Sequence, residues 1–157
     1  MTPPQQPPFT TSGIYLIALH VDRLLLSVYM KALVPLRLVA GLHAVAICLQ
    51  PVLAGVYLNG AGSALRMHEP IGLSLVGIGV AQLLIATAWW RTGGRAVAPL
   101  VTLLLLAGEV LQVAMGYSRQ LAVHIPLGIA LVAGTIAFAV WINRRRTPAR
   151  PRQRVAA

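Results

Sequence analysis

The sequence predicts an all-α integral membrane protein, a four-helix bundle built from two tandem helical hairpins. Three observations predict this class: the composition is apolar, four segments are long enough to span a bilayer, and the second half of the chain repeats features of the first. Of the 157 residues, 57% are hydrophobic and 10% are charged, whereas ordinary soluble domains carry about 25% charged residues. This composition excludes a disordered chain and disfavours a soluble enzyme.

Four apolar segments each have the length of a membrane-spanning helix. A helix of about 20 residues is roughly 30 Å long, which matches the hydrocarbon core of a bilayer. Backbone groups find no water there, so each segment must be a helix or part of a closed barrel, and none shows the period-2 alternation of a barrel strand. The predicted spans are about 38–58, 71–90, 96–116 and 121–142.

The basic residues predict the orientation. The chain has 13 Lys and Arg residues against three acids. With both termini in the cytoplasm, eleven basic residues lie inside and only Arg66 and Arg119 lie outside, as the positive-inside rule requires. We therefore expect a multi-pass protein of the cell membrane with both termini cytoplasmic. Because the basic residues fall between and after the spans, no nucleic-acid partner is expected.

The chain before the first span is predicted to lie outside the bundle. Residues 1–12 are rich in Pro and Gln, which is typical of disorder. Residues 13–30 are apolar but carry polar groups near their centre, so we expect an interfacial helix there. A fifth span is the alternative, although it would weaken the charge bias. Residues 1–37 are thus assigned to a disordered and interfacial segment, and Met30 is a second candidate for the natural start.

The four-helix bundle is predicted over residues 38–142, and a basic cytoplasmic tail follows at 143–157. The tail is rich in Arg and Pro. A basic residue beside anionic lipid contributes about 1 kcal/mol of membrane binding. We therefore expect the tail to contact anionic lipid of the bilayer.

The second and fourth spans begin with the same pattern, H-x-P-[IL]-G-[LI]-[SA]-L-V. It starts at His68 in one and at His124 in the other. The spans that precede them also end alike, with Gln50 and Gln112 each followed by Gly and Tyr. These matches predict two tandem copies of a helical hairpin.

The repeat predicts where its histidines meet. Parallel repeats are related by an axis along the membrane normal, so we expect His68 and His124 to face each other at one depth near the outer face. A proline follows each by two residues, which suits the first turn of a helix. Gly72 and Gly128 lie one turn below the histidines and would leave room for a flat ligand.

Two facing neutral imidazoles can supply both axial ligands of a haem iron, and helix bundles hold cofactors between facing helices. The sequence therefore predicts one haem b with His68 and His124 as metal ligands. Zinc is a weaker candidate, since four ligands are usual and only Glu69 is nearby. In the alternative interpretation the histidines are interface residues and the glycines serve close packing.

His43 does not fit this site. It lies about 15 residues, or roughly 22 Å, below the outer end of its helix. His20 is its only candidate partner on the inner side, so a second haem is not predicted. His43 and Gln50 are seven residues apart on one face, where they are expected to form hydrogen bonds within the bundle.

Three polar residues in the outer half of the spans are candidates to support the haem site: Gln50, Glu109 and Gln112. Glu109 is the only acid inside a span, where a charge costs about 2.5–3.5 kcal/mol and tends to be functional. We expect these residues to orient a histidine or to relay protons to a quinone. The alternative is a protonated Glu109 hydrogen-bonded to a glutamine across helices.

With these features, residues 38–142 resemble one half of the haem A synthase family. Each half of those proteins is a four-helix bundle with a histidine near the outer end of its second helix and another on its fourth, the positions of His68 and His124 here. The family has a glutamate three residues before its second-helix histidine, where this chain has Leu65, and its outer-loop cysteine pair is missing. The resemblance implies a haem-binding bundle; it does not carry over oxidation of a haem methyl group.

Two functions are consistent with the sequence. The first is a membrane b-type haem protein, bis-His ligated near the outer face, in electron transfer or haem handling, with a quinone or a membrane redox protein as partner. The second is a cofactor-free membrane accessory subunit, or a small carrier whose polar residues line a path.

Overall fold

The computed structural model describes the backbone of residues 11–144 and the side chains of residues 16–24 and 27–144. This part of the chain is all-helical. Each of its four helices is long and apolar enough to cross a membrane, which confirms the predicted class of four long apolar helices. The helices are α1 (Thr11–Leu58), α2 (Ser63–Arg91), α3 (Val97–Tyr117) and α4 (Leu121–Asn143).

Helix α1 is much longer than the predicted first span. It has 48 residues, which at 1.5 Å per residue is about 72 Å. No helix end separates the expected N-terminal segment from the span at residue 38. Among the described side chains, Leu33 is the first that is fully buried and Tyr29 is the first that packs against the core, so α1 before Tyr29 projects from the packed part of the molecule. Residues 1–10 of the stretch predicted to be disordered, and the tail from residue 145, lie outside the described residues.

The prolines of the repeat lie inside their helices, so the prediction that they occupy first turns was wrong. Helix α2 begins at Ser63, well before the predicted span, and both Pro70 and Pro126 are interior. The connection from α1 is tight, because Gly60 adopts a positive φ of 97° that glycine tolerates without strain. The helix therefore starts early and includes the histidine in its second turn.

The four helices pack in a closed ring. Helix α1 packs against α2 and α4, and α3 packs against the same two. Helices α1 and α3 are thus diagonal to each other, as are α2 and α4. Side chains at the diagonal positions can meet only across the centre of the ring.

Each helix buries residues at intervals of four, three and four positions, the spacing of near-parallel helix packing. The four buried positions of α1 and α3 are Leu36, Ala40, His43, Ile47 and Ala98, Thr102, Leu105, Glu109. Those of α2 and α4 are Leu75, Gly79, Gln82, Ala86 and Leu131, Thr135, Phe138, Ile142. Aligning the two H-x-P-x-G motifs brings the buried positions of α2 and α4 into register, and aligning Gln50 with Gln112 does the same for α1 and α3.

Candidate functional site

The structure brings His68 and His124 together. Their ring centres lie 6.3 Å apart and their planes are inclined at 58°. The two rings come from α2 and α4, the diagonal helices that begin with the shared motif. Both side chains are half-buried near one end of the ring of helices. The sequence had placed these two residues at one depth and facing each other, and the coordinates show that contact.

A backbone carbonyl orients the ring of His124. Nδ1 of His124 lies 2.9 Å from the carbonyl oxygen of Gln112. Because a carbonyl oxygen only accepts hydrogen bonds, Nδ1 carries the hydrogen and donates it. The other nitrogen, Nε2, therefore keeps a lone pair, which is the form of imidazole that binds metals.

Gln50 occupies the corresponding position beside His68. With the amide oriented so that its nitrogen faces the histidine, this nitrogen lies 3.0 Å from Nδ1, 3.3 Å from Nε2 and 3.2 Å from the carbonyl oxygen of His68. The amide oxygen of Gln50 then accepts from the backbone N–H of Gly72 at 3.1 Å. Gln50 thus holds both the ring and the backbone of the first motif.

The two motif glycines make room for the two glutamines. A Cβ on Gly128 would lie 2.8 Å from the amide nitrogen of Gln112, and one on Gly72 would lie 3.6 Å from the amide of Gln50. Each glutamine comes from the helix that precedes the motif in the chain. From the sequence, the two glycines were expected to leave room for a flat ligand. In the structure, the position where each glycine lacks a Cβ faces a glutamine.

A second polar cluster lies deeper between the helices. His43 Nδ1 is 3.2 Å from Gln82 Oε1, and Gln82 Nε2 donates to Thr102 Oγ1 at 3.4 Å. On its other side, His43 Nε2 lies 2.8 Å from Glu109 Oε1. All four side chains are at most 3% exposed. We call these four residues, one or more from each of α1, α2 and α3, the inner cluster.

The structure places Glu109 with the inner cluster and not with the histidine pair. Its contacts are His43 and the open side of Gly79, where a Cβ would lie 2.7 Å from Oε2. The hydrogen-bond partner of His43 Nδ1 is likewise Gln82, not Gln50 as expected. His43 is seven residues before Gln50, so the inner cluster lies about 10 Å along the helix axis from the histidine pair.

Sequence reasoning did not identify the inner cluster as a unit. The sequence singled out His43 and Glu109 separately, without Gln82 or Thr102 as their partners. A signal was present: each occupies one of the regularly spaced buried positions of its helix. A polar side chain at such a position needs a buried partner, because an unpaired polar group in an apolar interior is costly.

Near the histidine pair, an exposed contact joins α2 to α3. The Tyr117 hydroxyl donates to Glu69 Oε1 at 2.7 Å. Glu69 follows His68 directly in the chain, and Tyr117 belongs to the Gly-Tyr pair of the repeat. This contact ties the outer end of α3 to the first motif.

No protein-family model, curated protein or solved structure matches this chain. Within residues 16–24 and 27–144, no group of three or more His, Cys, Asp or Glu side chains is placed to hold a metal ion. The site therefore has to be judged on its own chemistry, namely two imidazoles and the groups that orient them.

Proposed function

We propose that this chain is an integral membrane protein that binds one haem b between His68 and His124 and serves in electron transfer or haem handling at the outer face of the cell membrane. The observation that carries the proposal is the 6.3 Å separation of the two ring centres. The haem A synthase half is the family that the sequence resembles in this arrangement.

The ring separation fits two imidazoles bound to one metal ion. An imidazole nitrogen lies roughly 1.1–1.2 Å from its ring centre by ordinary bond lengths, and metal–imidazole bonds are about 2.0–2.1 Å. Two such ligands on opposite sides of an ion have ring centres about 6.3–6.5 Å apart by the same lengths. The separation of His68 and His124 agrees with this value.

The donor set favours haem over a bare metal ion. A protein zinc site normally has four ligands, whereas a porphyrin brings its own four nitrogens and needs only two axial imidazoles. The chain provides a lone pair at His124 Nε2, fixed by the Gln112 carbonyl. When bound, the haem would supply one-electron redox chemistry. With His68 and His124 both bound to the iron, no site would remain open for oxygen, so electron transfer is favoured over oxygen chemistry.

The surface of the helices supports a membrane location. Large apolar side chains point outward all along the ring, with Leu42 58%, Leu84 67%, Leu104 65% and Ile129 67% exposed. A soluble monomer rarely exposes so large a continuous apolar surface. We place both termini in the cytoplasm on the charge distribution, with the basic tail on anionic lipid and a quinone or membrane redox protein as partner.

The two hairpins are best explained as a tandem duplication within this membrane bundle. Each half places a glutamine against the glycine of the following motif, Gln50 on Gly72 and Gln112 on Gly128. The halves also bury corresponding positions. An axis along the bundle would relate the halves and bring the two histidines to it.

The absorption spectrum of the purified protein tests the proposal. We expect a Soret band and sharp visible bands on reduction, which His68→Ala and His124→Ala each abolish. His20→Ala is the matched control, because His20 is exposed on the projecting part of α1 and its loss should leave the spectrum unchanged. A colourless protein from haem-replete cells, or full haem binding by the double variant, contradicts the proposal.

A cofactor-free accessory subunit or small carrier is the second candidate, and the inner cluster favours it. Glu109 and His43 are buried together without touching the histidine pair, as polar groups along a path through the membrane would be. Uptake of a solute or co-purification with a larger complex, by a protein without haem, would support this function instead.

A further inference from the structure

The inner cluster contains the only ionisable side chains buried in the described part of the chain. His43 is 0% exposed and Glu109 is 3% exposed. The two other acids of the chain, Asp22 and Glu69, are exposed. The buried positions of α2 and α4 bring no further ionisable group. The polar residues at the buried positions of α2 and α4 are Gln82 and Thr135, which carry no charge. The charge of the inner cluster therefore depends on His43 and Glu109.

The hydrogen bonds of the inner cluster fix where its protons are. Gln82 donates through Nε2 to Thr102, so its Oε1 faces His43 as an acceptor. His43 Nδ1 must therefore carry a hydrogen. The 2.8 Å contact between His43 Nε2 and Glu109 Oε1 is short enough for one proton to be shared between the two atoms. Loss of that proton leaves a carboxylate in an apolar interior, which is unfavourable unless a positive charge lies nearby.

We propose that His43 and Glu109 form a proton-binding site that takes up one proton when a haem held by His68 and His124 gains an electron and releases it when the electron leaves. The coupling rests on the proposed haem function; the proton site does not. On uptake an O–H bond forms between the proton and the Glu109 carboxylate, and on release that bond breaks. The electron comes from a membrane quinol or a one-electron reductant and the proton from water, so the net charge of the interior stays constant.

Two unpaired acceptors lie on α3 between the proton site and the histidine pair. Among the described residues, Glu109 Oε2 and Gln112 Oε1 are buried and have no hydrogen-bond partner. They lie one turn apart on the same face of α3. The backbone carbonyl of Gln112 in turn contacts His124. Glu109 Oε2 is thus a free acceptor for an arriving proton, on the side of the carboxyl away from His43.

Electrostatics couple the two layers across this short distance. The rise of α1 between His43 and Gln50 puts the histidine pair about 10 Å from Glu109. One electron added to a haem at this pair lowers the positive charge at that distance. In an interior of low dielectric, a unit charge at that distance changes the proton affinity of a carboxylate appreciably. The carboxylate of Glu109 should bind a proton more tightly after reduction, because the positive charge that stabilised its ionised form is lost.

Reduced-minus-oxidised infrared spectra of the purified haem-loaded protein test this proposal. We expect a protonated-carboxyl band to gain intensity on reduction, to shift in D₂O, and to vanish in Glu109→Gln. Glu69→Gln is the matched control, because it removes the exposed glutamate and should leave the band in place. An unchanged carboxyl signal on reduction, or a band that survives in Glu109→Gln, overturns the coupling.

The reduction potential gives a second readout. For a one-electron couple, a tenfold change in proton concentration corresponds to at most about 59 mV. The potential of the wild type should therefore fall by up to that amount per pH unit over some pH range. In Glu109→Gln the potential should be independent of pH over the same range, and an unchanged slope in that variant contradicts the proposal.

Two further measurements distinguish a failure of the proposed haem function from a failure of the proton site. If the protein binds no haem, the proposed function fails, and a pH titration of the carboxyl band in the haem-free protein still tests the proton site. If Glu109→Gln does not fold, the D₂O shift is measured in a variant carrying Asp22→Asn and Glu69→Gln, in which Glu109 is the only carboxylic side chain of the protein. A carboxyl that never titrates and never exchanges excludes proton binding here.

Discussion

Nε2 of His43 and Oε1 of Glu109 lie 2.8 Å apart, across a diagonal of the ring of helices. Their helices, α1 and α3, do not pack against each other directly. The contact is therefore a polar bridge through the centre of the molecule, between the two hairpins. It specifies which faces of α1 and α3 point inward, because any rotation of either helix would leave a buried polar group unpaired.

A double-mutant cycle should show that this bridge is cooperative. His43→Leu and Glu109→Leu should each destabilise the protein by about 1–3 kcal/mol, because each leaves a buried polar partner unsatisfied. The double variant removes both groups and should be destabilised by much less than the sum. Unfolding in detergent, followed by circular dichroism, measures the three free energies. Strictly additive effects would mean that the two side chains do not interact.

Gly79 should be intolerant of a side chain. A Cβ there would lie 2.7 Å from Glu109 Oε2 and 3.1 Å from Leu106 Cδ1, so Gly79→Ala should cost about 1–3 kcal/mol of stability through overpacking. Gly77→Ala in the same helix is the control. Its Cβ would meet nothing within 4 Å, so helix propensity should make it neutral or stabilising by up to about 1 kcal/mol. Equal melting temperatures for both variants would count against this packing.

Gly116 should matter to His124 specifically. A Cβ on Gly116 would lie 3.1 Å from Cε1 of the His124 ring, whereas one on Gly55, the matching glycine of the first hairpin, would meet nothing within 4 Å. Gly116→Ala should therefore displace the ring and weaken or broaden the visible bands of bound haem. Gly55→Ala should leave them as in the wild type. The absorption spectra of the two variants at equal haem supply make the comparison, and identical spectra would refute it.

The Tyr117–Glu69 hydrogen bond should contribute little to stability. Both side chains are exposed, and exposed polar contacts are usually worth less than about 0.5–1 kcal/mol. Tyr117→Phe should lower the free energy of unfolding by no more than that amount. Because the contact lies beside His68, the same variant reports on whether the outer loop affects the haem spectrum. A loss of several kcal/mol would show that this end of α3 depends on the contact.

Sequence patterns predicted the helix number and most helix ends, because a segment that could span a bilayer needs a minimum apolar length. The predicted spans end within one residue of α1 to α4. The starts of α1 and α2 were predicted too late, because polar residues such as Asp22 and Arg23 were taken to interrupt the first helix, and Pro70 to begin the second. A helix that projects beyond the packed core can contain polar residues and continue, because water forms hydrogen bonds with its polar groups.

The partners of the inner residues could not be read from the sequence. The spacing of His43 and Gln50 puts them on one face of a helix, but the rotation and depth of α2 and α3 decide that His43 meets Gln82 and Glu109 instead. Helical periodicity constrains neighbours three and four residues apart and does not constrain neighbours on other helices.

The sequence by itself determined that this chain is helical, apolar and repeated, and it singled out His68 and His124 by their shared motif. Only the tertiary structure decided that these two rings lie 6.3 Å apart and that Glu109 belongs with His43. The physical reason is that apolar length and periodicity act within one segment, whereas the meeting of side chains across a ring of helices depends on how all four segments rotate and pack together.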